Sequence, residues 1–300
     1  MVLKPLAGEE AYGPTAEQAL QGLAERARPV VAEFVEVFYR SLQQSEQTQQ
    51  VLSRLTTEEF AHLRERQARH LLMFLEPTLT AEQHRARAQA VGRVHALVGV
   101  ELIWLIEAYN LYQQALHHLL PSADNSAQIS VQKILDRRLL LDLEAQGAGY
   151  RQLDDELTKV LVQIQRQIQT APSATDLYRS VIEGLCSIDG ISAAFVGRAG
   201  RQHMLEIEAS HGPQAQTYLD AMQAGRIPVI NLDPDLDESL RGPTARAWHS
   251  GDIQTVCSFA LDDATSQWNP VGANLGFRSH AVIPLTDDTG QAFAVVNVYS

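Results

Sequence analysis

From Thr15 to about Tyr150, apolar residues return at intervals of three and four with few interruptions, the pattern of amphipathic helices, and no strand-like alternation intrudes. Helix starts are predicted at Pro14–Thr15, at Thr56–Thr57, where Glu58 and Glu59 follow as in an N-terminal cap, and at Thr80. Breaks are predicted around Gln43 to Gln50, at Glu76–Pro77 and from Pro121 to Ser126, the last rich in turn-forming residues. The segment reads as a bundle of about six helices.

The alternation expected of strands first appears after Pro172. A helix from Ala174 to Cys186 leads into a strand from Ser192 to Val196, a glycine-rich turn at Gly197 to Gly200 and a second strand from Met204 to Ser210. Ala281 to Leu285 and Phe293 to Tyr299 form a hairpin around Asp287 to Gly290. The predicted fold class is therefore multidomain: an all-α bundle over 1–150, a linker helix over 151–172, and an α+β domain with an antiparallel sheet over 173–300. Because the sequence stops on a strand, it is expected to be part of a longer protein.

Between the two domains, Leu143, Tyr150, Leu153, Leu157, Val160 and Ile164 keep a heptad-like spacing, with Gln146 and Gln167 at two of the seam positions. Two readings stand side by side: a helix packed on its own bundle, or a parallel dimeric helix passing a signal onward. Helix 101–120 and the helix near 131–150 carry enough apolar residues, among them Trp104, Tyr109, Tyr112 and Leu139 to Leu141, to pair two subunits, so a homodimer is expected.

The length of 300 residues fits two domains. A net charge of −12 argues against a nucleic-acid surface, which needs clustered Lys and Arg. The two cysteines, Cys186 and Cys257, have neither disulfide-framework nor thiolate-metal spacing, which suits a reducing cytoplasm. The first ten residues lack signal-peptide order and no stretch is apolar enough for a bilayer span, so a cytoplasmic protein without a membrane partner is expected.

Val91, His95, Val98 and Leu102 fall on one helical face, so His95 is expected to be buried among apolar neighbours. Gly92 and Gly99 flank it on that face, where glycine costs about 1 kcal/mol against alanine. A flat, bulky group lying beside the imidazole would compensate that cost, and so would close helix packing; both readings stay open. Phe34, Val35, Phe38, Tyr39 and Leu42 form an earlier apolar face containing a single hydroxyl. That tyrosine is either a donor to a bound ligand or a core residue tethered to a carbonyl. His62, His84, His117 and His118 show no metal-ligand spacing and are expected on the solvated surface.

The run Arg93-Val-His-Ala-Leu-Val-Gly-Val100, continuing to Trp104 and Tyr109, together with Phe38-Tyr-Arg-Ser-Leu42, resembles the globin domain of bacterial globin-coupled sensors over about residues 15 to 150. The resemblance implies haem b as cofactor, with His95 as the iron ligand and Tyr39 as the distal residue that hydrogen-bonds dioxygen. It places Leu63 as a second distal residue, and Phe34, Phe38, Val98 and Leu102 as apolar lining. His70 departs from the family pattern, standing where many members carry Trp, and a second imidazole there would compete for iron.

Residues 174–300 look like a GAF domain, on the helix, strand and hairpin order and a Ser210-His-Gly212 turn, with a PAS-type fold as the competitor. Trp248, Cys257 and Trp268 lie in its variable middle, either around a small ligand or as core of a relay domain. The acidic run Asp233, Asp235, Asp237 and Glu238 lacks the glycine of a calcium loop and reads as solvated. No Walker, GxSxG, HExxH, GGDEF or EAL string occurs, so no catalytic residue is assigned. The expected function is haem-based sensing of dioxygen or another diatomic gas. By resemblance, the output is a covalently linked diguanylate cyclase or cyclic di-GMP phosphodiesterase beyond Ser300. A gas-detoxifying globin enzyme and a haem-free stress sensor are the alternatives.

Overall fold

The computed structural model describes residues 5–118 and 125–300. The chain divides into two compact units, Met1–Asp155 and Glu156–Ser300. In the first, α1 (Pro14–Leu20), α2 (Leu23–Leu42), α3 (Glu46–Leu52), α4 (Thr57–Met73), α5 (Ala81–Leu97), α6 (Leu102–His118) and the start of α7 (Asn125–Thr170) are all helical. The short α3 occupies the stretch expected to be a break, so seven helices rather than about six reach this unit among the described residues. Of the break expected from Pro121 to Ser126, residues 121–124 lie outside the described residues, and Asn125 and Ser126 open α7.

Two helix starts carry full capping boxes. The Thr56 hydroxyl accepts from the Glu59 amide at 3.3 Å while the Glu59 carboxylate accepts from the Thr56 amide at 2.9 Å. Thr80 and Gln83 repeat the arrangement at 3.2 and 3.3 Å. Each satisfies two of the amides that a helix end leaves without partners. The core is built from the facing stripes of these helices: Val31, Val35, Phe38 and Tyr39 of α2, Leu71 of α4, Leu105, Tyr109, Tyr112 and Leu116 of α6, and Leu135 and Leu139 of α7. The spacing of the α6 set, four then three then four, is the predicted helical face. Leu102 at the start of α6, with Ile103, Ile106 and Leu111, remains exposed.

Arg138 of α7 is fully buried and fastens three segments, donating to the carbonyls of Ala11 at 2.9 Å, Phe74 at 2.9 Å and Glu76 at 2.8 Å. Burial pushes its pKa down only to about 10, so it stays a cation at neutral pH. α7 runs unbroken from Asn125 to Thr170 and carries most of the segment 151–172 read as a linker helix. Of its heptad-like positions, Leu153 and Val160 are buried, whereas Leu157 is exposed together with Leu161, Val162 and Ile168.

The second unit opens with α8 (Ala174–Cys186) and contains β1 (Ala193–Ala199), β2 (Leu205–His211), α9 (Ala215–Gln223), α10 (Pro243–Ser250), β3 (Gln254–Val256), α11 (Asn269–Gly272), β4 (His280–Thr286) and β5 (Ala292–Tyr299). The strands form one antiparallel sheet in the order β2-β1-β5-β4-β3. Alternation decides which face each residue serves. Ala194 and Val196 with Ala294 and Val296 pack on Tyr178 and Ile182 of α8. Ala193 and Phe195 with Val295 and Tyr299 pack on α9 and α10 across the other face. The β4–β5 hairpin closes as expected, with Gly290 in the left-handed region at φ +83° and the Thr289 amide donating to Asp287 Oδ1 at 2.8 Å. Gly197, expected in a turn, lies inside β1 beside a bulge, where a Cβ would press on the Leu205 side chain. No helix among the described residues is long and apolar enough to cross a membrane.

This sheet buries one titratable group with a definite consequence. His280 stacks on Tyr299 at 4.2 Å, and its Nε2 lies 3.1 Å from Asn297 Oδ1, which also accepts from the Thr244 hydroxyl at 2.7 Å. Burial, opposed only by the Asn297 bond, lowers the His280 pKa from 6.5 to about 4. Between those values the unfolded chain takes up a proton that the folded unit refuses, so stability falls as pH falls. Lowering the pH through that window is expected to cost the second unit about 3 kcal/mol. Hydrogen exchange of the β4 and β5 amides at several pH values tests this; a dependence unchanged in His280→Phe would refute it.

Candidate functional site

His95 sits in the last turn of α5, and the way that helix ends determines its surroundings. The Val100 amide donates to the His95 carbonyl at 2.9 Å and the Gly99 amide to the Ala96 carbonyl at 3.2 Å, with Gly99 at φ +81°. This pair of bonds around a left-handed glycine is a Schellman termination. Gly99 is therefore a helix stop, not the mid-helix glycine expected. Val98 and Leu102 accordingly leave the stripe of His95 and are 45% and 41% exposed.

Gly92 is mid-helix as expected, and the structure gives its reason. A Cβ there would lie 2.5 Å from the Cα and 2.6 Å from the carbonyl carbon of Gln146. Reciprocally, a Cβ on Gly149 would lie 2.6 Å from the Arg93 nitrogen and 3.0 Å from the Gly92 carbonyl carbon. Of the two readings left open, close packing accounts for Gly92: α5 and α7 cross at backbone contact.

That crossing brings a buried polar cluster against His95. Its hub is Asp142 on α7, fully buried. Asp142 accepts from Tyr109 through a very short bond, from Gln146 Nε2 at 2.8 Å, and from His84 Nε2 at 2.7 Å, with His70 Nε2 at 3.3 Å. Tyr12 extends the cluster, its hydroxyl 2.7 Å from His84 Nδ1. Gln146 extends it the other way, with Oε1 3.0 Å from His95 Nδ1. Burial acts to raise the Asp142 pKa, but His70 and His84 outweigh it and hold the carboxyl well below the ordinary carboxylate range. His95 itself is shifted down by burial, so the imidazole is held neutral. Its Nε2 makes no hydrogen bond among the described residues.

Two histidine expectations change here. His84, expected on the surface, is fully buried because the carboxylate of Asp142 needs donors on both oxygens. His117 instead pairs with Asp136 at 2.9 Å at the periphery, and His62 is exposed beside Glu65. His70, expected as a rival ligand, has its Nε2 directed at Asp142 and its ring edge against Phe74.

Tyr39, Phe34, Phe38 and Leu63 are brought together in the main core. Phe38 stacks on Phe34 at 5.7 Å and meets Tyr39 edge-on at 5.3 Å, while Phe60 covers Tyr39 from the other side at 5.5 Å. Tyr39 is only 5% exposed, and burial raises its pKa, keeping the hydroxyl protonated. The other tyrosines of this unit all have partners: Tyr12 on His84, Tyr109 on Asp142, Tyr112 from Gln67 at 2.9 Å and Tyr150 on the Val100 carbonyl at 2.8 Å. The Tyr39 hydroxyl has none among the described residues. That hydroxyl is therefore available to donate to a ligand. The carbonyl tether considered for it is not formed.

Residues 13–156 match the family model described as Protoglobin. The protoglobin match covers α1 to α6 and the first part of α7, and with them His95, Tyr39, Asp142 and Gln146; Tyr12 lies just before it. The fold class is thus an all-α globin-like bundle followed by an α+β unit. The donor set suits a haem: a neutral imidazole with a free Nε2, and a tyrosine hydroxyl free to donate beside aromatic side chains. No curated protein matches the chain. Solved structures similar to it include a GAF domain from A. aeolicus in an inactive state, 14% identical, covering 49% of this chain and 81% of that one at a TM-score of 0.37. A GAF domain of a phosphoenolpyruvate-protein phosphotransferase from Coxiella burnetii is 16% identical, covering 49% and 79% at 0.36. The chromophore-binding domain of a Stigmatella aurantiaca bacteriophytochrome is 13% identical, covering 50% and 51% at 0.30. These likenesses add nothing to the sheet topology described above.

In the second unit, Trp268 donates to the Pro228 carbonyl at 3.0 Å and Trp248 packs on the core, while Cys257 is exposed. Trp268, His280 and Tyr299 line a cavity of about 10 Å³, room for a single water. Asp233 and Asp237 spend carboxylate oxygens on the amides of Asp235 and Ser239, as turn caps do. Asp142 and Gln146 escaped the sequence reading as site residues. The available signal was polarity in an apolar stretch: Asp142 interrupts a leucine run from Leu139 to Leu143, and Gln146 breaks the seam.

Proposed function

We propose that residues 13–156 form a haem-based sensor of dioxygen or a similar diatomic gas, with haem b held by His95 Nε2 and the Tyr39 hydroxyl donating to the gas. The observation that carries this reading is Tyr39, a side chain only 5% exposed whose hydroxyl makes no hydrogen bond among the described residues, in a unit where the other tyrosines have one. The protoglobin match supports it. Haem supplies the iron that takes the gas. The chain supplies the rest: a neutral imidazole, a protonated distal donor, and the side chains of Phe34, Phe38 and Leu63 packed in the same core as that donor.

In this reading the α+β unit is a GAF-like relay reached through α7. The output is a diguanylate cyclase or cyclic di-GMP phosphodiesterase linked beyond Ser300. Two chains pair through exposed apolar residues such as Leu102, Ile103, Ile106 and Leu111, as exposed apolar clusters on globular proteins commonly do. Equilibrium sedimentation tests the pairing.

The test of the sensor is the absorption spectrum of the reconstituted chain. A Soret band that shifts with dioxygen is expected, lost in His95→Ala and retained in Tyr39→Phe with dioxygen dissociating on the order of 10-fold faster or more, as loss of a ligand hydrogen bond worth about 1.5 kcal/mol requires. A band that survives in His95→Ala would overturn the assignment.

A further inference from the structure

The Asp142 cluster does more than fill the crossing of α5 and α7: it fixes which nitrogen of His95 carries the proton. A carboxylate can only accept, so the Gln146 group facing Asp142 Oδ1 at 2.8 Å must be its NH2. The second hydrogen of that NH2 goes to the Tyr109 oxygen at 2.9 Å, and the Tyr109 hydroxyl in turn donates to Asp142. Both amide hydrogens are thereby used, and the atom left toward His95 is the carbonyl Oε1, at 3.0 Å from Nδ1. An amide oxygen only accepts, so Nδ1 must be the protonated nitrogen. A neutral imidazole has one N–H, which leaves Nε2 with its lone pair.

We propose that Gln146 is the positioning residue of His95, oriented by Asp142 and Tyr109 so that its carbonyl holds the imidazole in the Nδ1–H form with Nε2 presented as an electron-pair donor. The tautomer stands on the protein alone; its use, presenting Nε2 to an iron, rests on the haem-sensor reading. The arrangement is the outer-shell hydrogen bond that orients metal-bound histidines and raises their donor strength, built here from an amide backed by a buried carboxylate. Free histidine prefers the Nε2–H form, so the protein must impose the other one. The exposed end of α5 offers His95 Nδ1 no second acceptor among the described residues.

The test has two readouts. In the haem-free full-length protein, long-range proton–nitrogen NMR of the imidazole rings is expected to show His95 protonated on Nδ1. In Gln146→Met, which keeps the side-chain length and removes the acceptor, it should revert to Nε2–H. An Nε2–H tautomer in the unsubstituted protein overturns the proposal without any variant. After haem reconstitution, Gln146→Met is expected to release haem on the order of 10- to 100-fold faster and to lower the iron–histidine stretching frequency. Haem release and stretching frequency equal to those of the unsubstituted protein would overturn the positioning role while leaving the sensor reading intact. A chain that shows the Nδ1–H tautomer but no Soret band would sustain the tautomer assignment and overturn the sensor reading.

Discussion

Asp142→Ala is expected to lower the stability of the helical unit by about 3–5 kcal/mol, the usual cost of removing one partner from a buried charged cluster. The carboxylate receives Tyr109, Gln146, His84 and His70, and no water is close at hand, since Asp142 and His84 are fully buried. Removing it strands several donors together, each costing about 1–3 kcal/mol when left buried and unmade, with some recovered by rearrangement. Asp142→Asn keeps the volume and one acceptor oxygen, so a smaller loss is expected. The carboxyl is held below the ordinary range, so its contribution is present above the unfolded value near pH 4 and is lost as pH falls further. The unsubstituted chain should therefore weaken in the helical unit below about pH 4, and Asp142→Asn should weaken less steeply there. Native-state hydrogen exchange of the α5 and α7 amides reads both effects locally. Equal protection in Asp142→Ala and the unsubstituted chain would mean that the carboxylate is solvated and the cluster is not a hub.

How far this arrangement was legible in the sequence depends on what kind of information each part needs. Periodicity exposes the core faces because burial repeats with the helix, as Leu105, Tyr109, Tyr112 and Leu116 do. Caps are legible because the partners are three residues apart, as Thr56 and Glu59 are. The polar cluster was not legible, because its bonds join residues far apart in sequence: Tyr12 to His84, His84 to Asp142, and His95 to Gln146. Spacing within one helix says nothing of such pairs, which is why His84 was assigned to the surface. The end of α5 failed for a different reason. Gly99 falls on the helical repeat of His95, and it is the positive φ and the two terminating hydrogen bonds that show that the helix has stopped. In the α+β unit the β4–β5 hairpin was legible from its turn, whereas α9, α10 and α11 lie in a stretch whose order comes from packing against Phe195, Val295 and Tyr299.

Gly149→Ala should produce the second large effect, and its sign discriminates between two physical terms. In an exposed helix the substitution stabilises by about 1 kcal/mol, because alanine loses less backbone freedom than glycine. At this crossing the new methyl would meet the Arg93 nitrogen at 2.6 Å and the Gly92 carbonyl carbon at 3.0 Å. These are backbone atoms of a helix, and no flexible side chain can swing aside, so α5 and α7 must separate. Overpacking costs of about 1–3 kcal/mol are usual and larger ones occur where the obstacle cannot move, so a net loss of about 1–2 kcal/mol is expected. Gly92→Ala should behave alike, its methyl facing Gln146 Cα at 2.5 Å. The two are coupled, since once the helices have parted for one methyl the second meets less resistance; the double variant should lose at least about 0.5 kcal/mol less than the sum. The same separation draws Gln146 from His95, whose 3.0 Å bond spans the crossing, so either variant should also shift His95 toward the Nε2–H tautomer. Denaturant midpoints and the imidazole spectrum measure the two consequences independently. A Gly149→Ala chain more stable than the unsubstituted one would show that helix propensity outweighs contact, and that α5 and α7 do not meet at their backbones.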